Sequence, residues 1–248
     1  MGYEFSDEIR AFLQEKLFLQ NVSPRTIILY ESSFKAFHGA TENLEAVKAR
    51  VVQLRERGVG PVTVNTYLRH IKCFYRWKGL EWRLPWLKEE QKILSTLNPA
   101  HVNRLLCYRP STKLGDRRIH AIVCLLLDTG LRISEALSLR KEDVNFESLV
   151  LKVLGKGNKH RYVPFSHELR KILWRYAHQF STTRFVFGTK KNTMVTVRNL
   201  ERDFQMLGHK CGITGVRFSP HTLRHTFAVN YLKRGVSYSP NFGQVAKV

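Results

Sequence analysis

Residues 129–137 have the sequence TGLRISEAL and stand between two predicted helices. The apolar stretch 117–127 predicts a buried helix, which ends where the polar pair Asp128-Thr129 is followed by Gly130. A second helix is predicted within 132–139. Arg132 is therefore expected at the end of an element, where a phosphate group can reach its guanidinium.

Downstream, a glycine-rich turn separates two runs of residues that favour β-strands. The runs cover 149–154 and 161–165, and GKGNK at 155–159 lies between them. This order predicts a β-hairpin whose turn carries Lys156.

A third motif is HTLRH at 221–225, which follows Ser219 and Pro220. Serine is a favoured N-cap and proline suits the first helical turn, so a helix is predicted to begin here. His221 then lies in the first turn and Arg224 about 60° further around the helix. Apolar residues of this helix recur every four positions, at Leu223, Phe227 and Tyr231. Both basic side chains are therefore expected to project away from the core.

The first eighty or so residues predict a compact helical module. Cap and first-turn residues at Ser6-Asp7, Ser23-Pro24 and Gly60-Pro61 each precede apolar residues at helical spacing, and a further helix is predicted over 41–57. Basic residues are interspersed along these helices.

A change of composition marks the end of this module. Prolines, tryptophans and mixed charges in 84–98 interrupt the helical pattern and predict a linker. We therefore expect two domains, 1–83 and 99–248. The expected fold is mainly α with a small β-hairpin or sheet.

Charge favours a polyanionic partner. The chain of 248 residues has 41 Lys and Arg against 20 Asp and Glu, a formal charge of +21 and a sequence pI near 10.2. So large an imbalance costs self-repulsion, and nucleic acid would neutralise it. The alternative is a solvated basic surface without a partner.

Cysteine usage and hydropathy exclude other classes of protein. The four cysteines are widely spaced and include no CxxC pair, which predicts a reduced, intracellular protein without zinc. The polar start does not resemble a signal peptide, and the longest apolar segment, 119–127, is too short to cross a bilayer. We expect a cytoplasmic, nucleoid-associated protein with no membrane partner.

The three motifs together resemble the tyrosine recombinases of the phage-integrase family. TGLRISEAL, LGKGNKHRYVPF and SPHTLRHTFA are similar, in this order, to the arginine box, the β-hairpin lysine and the HxxR box of that family. VSPRTIILYESSFKAF and GPVTVNTYLRHIKCFYRW are similar to its core-binding domain. The resemblance implies a helical SAM-like N-terminal core-binding domain, a mixed α/β catalytic domain, and a C-shaped clamp on duplex DNA.

The resemblance also implies roles for particular residues. Arg132 and Arg224 would hold the scissile phosphate, Lys156 would protonate the departing 5′ oxygen, and His221 would hydrogen-bond the phosphate. These groups would converge between the domains, with no metal and no cofactor. The alternatives without a catalytic role are an Arg132–Glu135 surface salt bridge, a solvated turn at Lys156 and a capping role for His221.

Further residues are expected to contact DNA or to support the site. Glu135 and His225 are expected to orient or pack rather than carry protons. The predicted DNA-binding residues, beside the four above, are basic or polar positions of both domains: Arg25, Thr26, Arg69, Lys72, Lys159 and Arg161.

The nucleophile of the family has no evident counterpart. Only 248 − 224 = 24 residues follow Arg224, with no LGH box and no tyrosine in the family's setting. Tyr231 is predicted to be core, and Tyr238 comes too early. Leu207-Gly208-His209 imitates the LGH box but precedes HxxR. The nucleophile is therefore unknown.

Two accounts of this departure remain open. The chain is either a truncated or frameshifted recombinase or a shortened DNA-binding partner or competitor of a full-length relative. In both cases we expect DNA binding without strand cleavage, as a homo-oligomer or with that relative. The rival class is a DNA-binding regulator that reads the major groove with a helix and does not depend on the motif residues.

Overall fold

A computed structural model describes residues 4–38, 40–90, 95–155, 159–179, 183–189 and 191–233. The chain divides into an N-terminal unit, Met1–Lys92, and a C-terminal unit, Ile93–Val248. The division falls inside the stretch 84–98. Among the described residues, no helix combines the length and the apolar content that a membrane span requires.

The N-terminal unit is built from helices. Their bounds are α1, Asp7–Gln14, extended by a π-helical turn, Glu15–Leu19; α2, Pro24–Phe37; α3, Leu44–Glu56; and α4, Pro61–Trp77. The predicted starts are confirmed, because Ser6 and Ser23 accept hydrogen bonds from backbone amides of the first turns. Helix α3 begins later than predicted, since Asn43 caps it.

Aromatic rings fill the core of this unit. Phe12, Phe34 and Phe74 meet edge to face, with ring centroids 5.4–5.9 Å apart. The stretch after α4 is tied down by the buried amide of Asn65, which donates to the Leu87 carbonyl and accepts from the Leu87 amide. Phe18, in the π-helical turn that extends α1, is 74% exposed.

The C-terminal unit has mixed structure. It contains α5, Pro99–Leu106; α6, Leu114–Thr129; α7, Ile133–Ser138; a short 3-10 helix, Lys141–Asp143; β1, Val144–Asn145; β2, Val150–Leu154; β3, His160–Pro164; α8, His167–Gln179; α9, Val197–Lys210; and α10, Pro220–Lys233. The strands form one antiparallel sheet in the order β1-β2-β3. The predicted hairpin is confirmed, whereas β1 and the 3-10 helix were not predicted.

Helix α6 is the centre of this unit. Its residues from Ile119 to Leu126 are all buried, and it packs against α5, α7, α8, α9 and α10. A helix that is apolar on all sides must be surrounded by other elements. Helix α6 ends at the TGLR motif, and this motif leads directly into α7.

Helix α10 buries a different face from the one predicted. Its buried residues are Thr222, Leu223 and Thr226, whereas Phe227 and Tyr231 are only partly buried. The threonine hydroxyls are satisfied by backbone: Thr222 donates to the Arg217 carbonyl, and Thr226 accepts from the Leu97 amide. Hydrogen bonding makes this polar face suitable for burial.

Candidate functional site

The end of α6 places Arg132. Gly130 ends that helix with a left-handed backbone, at φ 62°, and its missing side chain leaves room for the Phe227 ring of α10. A Cβ at Gly130 would overlap that ring. Two residues later Arg132 is the N-cap of α7, and its side chain is 56% exposed.

Glu135, in the first turn of α7, holds Arg132 by two bonds. Its carboxylate accepts from the Arg132 amide at 2.9 Å and from Arg132 Nη1 at 3.0 Å. The salt bridge with Glu135 that was the alternative to a phosphate-binding role for Arg132 is therefore present. The pair is not a surface pair, however, because the Glu135 side chain is only 7% exposed.

A second arginine, Arg161 of β3, binds the same carboxylate. Its Nη1 and Nη2 donate to the two oxygens of Glu135 at 3.0 and 2.8 Å. Burial would raise the pKa of Glu135, but the hydrogen bonds from Arg161 and Arg132 outweigh it and lower that pKa below its usual value. Glu135 is therefore ionised, and it joins β3 to the arginine box.

Arg224 of α10 completes this group. Its Nη1 donates to the carbonyl of Gly130, two residues before Arg132. Burial and the nearby charges of Arg132 and Arg161 lower the pKa of Arg224, although a guanidinium stays protonated in proteins. We call Arg132, Glu135, Arg161 and Arg224 the arginine cluster.

The cluster carries an excess of positive charge. It contains three guanidinium groups and one carboxylate, so its formal charge is 3 − 1 = +2. Arg224 forms no ion pair with any acid among the residues that the structure describes. An arrangement of this kind attracts anions, and planar guanidinium groups bind phosphate by paired hydrogen bonds.

His221 is exposed in the first turn of α10, one turn before Arg224. The predicted helix start is confirmed, since the Thr222 amide donates to the Ser219 hydroxyl at 3.3 Å. Lys156 lies outside the described residues. The described residues on either side of its turn are joined by the Gly155 amide, which donates to the Lys159 carbonyl at 2.8 Å.

The remaining predicted DNA-binding residues have varied surroundings. Arg25 is exposed, while the Thr26 hydroxyl lies 2.8 Å from that of Ser23. Arg69 and Lys72 both lie over the Trp86 ring, at 5.9 and 5.5 Å from its centroid. These four residues belong to the N-terminal unit, and their role on DNA stays a prediction.

Sequence reasoning missed the partner of Arg161. Along β3 the exposed positions alternate with half-buried ones, and Arg161 takes a half-buried position. A basic residue on the inner face of a strand needs a buried acid. That alternation was the available signal, and the buried acid is Glu135.

No group of three or more metal-ligating side chains comes together within the described part of the chain.

Comparison with known proteins gives a consistent result. The sequence model of the Phage integrase family matches residues 95–239. The tyrosine recombinase XerA of Pyrococcus furiosus is 30% identical over 94% of this chain and 82% of that protein. The Tn1549 transposon integrase in complex with transposon right end DNA superposes with a TM-score of 0.75 at 19% identity, covering 93% of this chain and 88% of that one. The XerH recombinase bound to difH gives a TM-score of 0.68 at 18% identity, over 94% and 76%.

Proposed function

The chain belongs to the phage integrase family of tyrosine recombinases, and from that premise we propose that it binds duplex DNA and holds one backbone phosphate between Arg132 and Arg224. The observation that carries the proposal is the +2 charge of the arginine cluster, in which Arg224 donates to a carbonyl and pairs with no described acid. A phosphate would supply the missing anion. The similar Tn1549 and XerH structures contain DNA, which supports this partner.

Within the arginine cluster, two arginines would bind the phosphate and the third would position them. Arg132 and Arg224 would donate to the non-bridging oxygens, whose negative charge grows during strand cleavage. Arg161 is a positioning residue, because both of its terminal nitrogens already bind Glu135. In this proposal it orients Arg132 through that carboxylate. The backbone contact that we expected for Arg161 stays a prediction.

The hairpin would bring the proton donor. Arg161 fixes β3 to Glu135, and β3 is the strand that follows the turn containing Lys156. Lys156 would protonate the departing 5′ oxygen, and His221 would hydrogen-bond the phosphate. Both roles rest on the family motif.

Cleavage needs a nucleophile in line with the departing oxygen. Tyr231 is partly buried and its ring lies 5.8 Å from that of Phe227, in a nearly parallel arrangement. Tyr238 lies outside the described residues. We propose that the polypeptide of 248 residues binds DNA but forms no phosphotyrosyl bond by itself.

Duplex binding can be tested by its dependence on salt. Removing one cation that neutralises a phosphate lowers the slope of log K against log[salt] by about 0.9. Because the two arginines hold the same phosphate, Arg132→Gln and Arg224→Gln should together lower the slope by about that amount, whereas Arg161→Lys should leave it unchanged. Arg55→Gln, on the exposed side of α3, is the matched control. A regulator that reads the major groove with a helix would keep its slope in both motif variants, and that result would overturn the proposal.

Cleavage can be tested with a nicked duplex whose sequence has been selected from a random pool by binding. The expected product is a complex that dissociates in detergent. A covalent adduct that disappears in Tyr238→Phe would contradict the proposal. An adduct that forms only after a full-length relative is added would agree with it, because the relative would have supplied the tyrosine.

A further inference from the structure

One side of α8 is basic and aromatic. Its exposed residues, which we call the α8 face, are His167, Arg170, Lys171, Trp174, Arg175, His178 and the single acid Glu168. The first five of them lie side by side on the outer surface of this helix. The opposite side of the helix is buried through Leu169, Leu173 and Tyr176.

The cations of this face form no ion pairs with acids among the described residues. Glu168 is the only acid of α8 and lies three residues before Lys171, a spacing at which acids and bases often pair. Within the described part of the chain, neither Lys171 nor Arg170 nor Arg175 forms an ion pair. The face therefore presents three cations and one acid, with no ion pair between them.

A solvated surface would account for the charges but not for the tryptophan. Trp174 is 49% exposed, and its ring meets the His178 ring edge to face, with centroids 3.9 Å apart. Tryptophan has a large apolar surface, whose exposure to water is unfavourable. A flat aromatic ring between cations fits a ligand that has planar groups and negative charges.

Single-stranded DNA has both properties. Its bases are free to stack on aromatic side chains while its phosphates contact Lys and Arg. In duplex DNA the bases are stacked on one another, so Trp174 would have no partner there. An acidic peptide would neutralise the cations but offers few planar groups.

We propose that the α8 face binds single-stranded DNA, with Trp174 stacked on a base and with Arg170, Lys171 and Arg175 on phosphates. The residues involved are distinct from the arginine cluster. The proposal concerns a second DNA-binding surface and does not depend on phosphate binding by Arg132 and Arg224.

The test is the affinity of the 248-residue polypeptide for a labelled oligo(dT), measured by fluorescence anisotropy. Trp174→Ala should weaken binding about tenfold, since stacking of one base contributes a factor of that order. Trp174→Tyr should restore most of it. Arg170→Gln, Lys171→Gln and Arg175→Gln together should lower the salt slope by about 2, because each phosphate neutralised on a single strand contributes about 0.7. The thermal midpoint of each variant shows whether it is folded.

Two controls separate this surface from general electrostatics and from the proposed function. Lys48→Gln, Arg55→Gln and Arg57→Gln together remove the same charge from the exposed side of the N-terminal unit and should leave the slope unchanged. Arg132→Gln with Arg224→Gln should weaken duplex binding while the effect of Trp174→Ala on oligo(dT) persists. If that double variant loses duplex binding but Trp174→Ala changes nothing, only the present proposal fails.

Three results would overturn it. Equal losses in the control triple variant would show that net charge alone governs oligo(dT) binding. An equal effect of Trp174→Ala on a duplex of the same length would show that stacking on free bases is not involved. Displacement of oligo(dT) by poly-glutamate, with no sensitivity to Trp174→Ala, would assign the face to an acidic protein.

Discussion

The arginine cluster and the α8 face both concentrate positive charge in the C-terminal unit, but they differ in what lies opposite that charge. In the cluster, Arg132 and Arg161 share the buried carboxylate of Glu135. On α8, Arg170, Lys171 and Arg175 form no ion pair within the described residues. A buried carboxylate restricts a guanidinium to one position, whereas an unpaired cation on an open helix remains mobile.

The difference separates two ways of binding an anion. Catalysis requires hydrogen-bond donors that are already oriented. The charge of Glu135 provides that orientation, but it also cancels part of the positive potential of the arginines. An exposed face binds through the release of counterions and adapts to its ligand. Substitutions in the cluster should therefore affect stability as well as binding, while those on α8 should affect binding with little change in stability.

The largest effect is expected from Glu135→Ala. It leaves the guanidinium groups of Arg132, Arg161 and Arg224 together without a counterion, and loss of one partner of a buried ion pair typically costs about 3 kcal/mol. Urea unfolding should show this loss in the free energy of unfolding. Glu142→Ala is the matched control, because Glu142 pairs with Arg140 at the surface with 68% of its side chain exposed, and it should cost less than about 0.5 kcal/mol. Equal losses in the two variants would remove the distinction between buried and exposed charge.

Gly130→Ala should have the next largest effect, about 2 kcal/mol. A β-carbon is unfavourable at φ 62° and would overlap the Phe227 ring. Because the Gly130 carbonyl also accepts from Arg224, duplex binding should weaken in parallel with stability. Adding Phe227→Leu should relieve the overlap and recover part of the loss in both measurements. A stable Gly130→Ala protein with full binding would show that the end of α6 does not position the cluster.

Local signals made much of the fold predictable. Helices begin at Ser23-Pro24, Gly60-Pro61 and Ser219-Pro220 because a cap and a first-turn proline act within a few residues. The hairpin was predictable for the same reason, since strand patterns flank its glycines. The domain bounds and the DNA contacts of the N-terminal unit remain predictions.

What could not be predicted depends on distant pairs. Arg161 and Glu135 lie 26 residues apart, and only the packing of β3 beside α7 brings them together. Thr226 is polar in sequence, yet it is buried because the Leu97 amide, 129 residues away, donates to it. Spacing along one element carries no information about such partners.

The pH dependence of stability provides a finer comparison. The folded-state pKa of Glu135 lies below its ordinary value of 4.5. The contribution of Glu135 to the free energy of unfolding is therefore fully present above pH 4.5 and is lost as the pH falls through the lower folded-state pKa. The difference in unfolding free energy between the wild type and Glu135→Gln should therefore be constant near neutral pH and should shrink below pH 4.5. Arg170→Gln, which removes no carboxylate, should run parallel to the wild type across that range. A difference that persists unchanged in acid would mean that the charge of Glu135 does not hold the cluster.

The smallest effect on stability is expected from the triple α8 variant, Arg170→Gln, Lys171→Gln and Arg175→Gln. None of these side chains has an acidic partner among the described residues, so their removal breaks no ion pair and should change the free energy of unfolding by at most about 0.5 kcal/mol. The sign should be stabilising, because like charges on adjacent turns of one helix repel each other. Salt screens that repulsion, so the gain measured by urea unfolding at low ionic strength should disappear at high ionic strength. A loss of more than about 1 kcal/mol that persists in salt would show that these cations hold the fold, as those of the arginine cluster do, and the α8 face would then no longer be free to bind a mobile ligand.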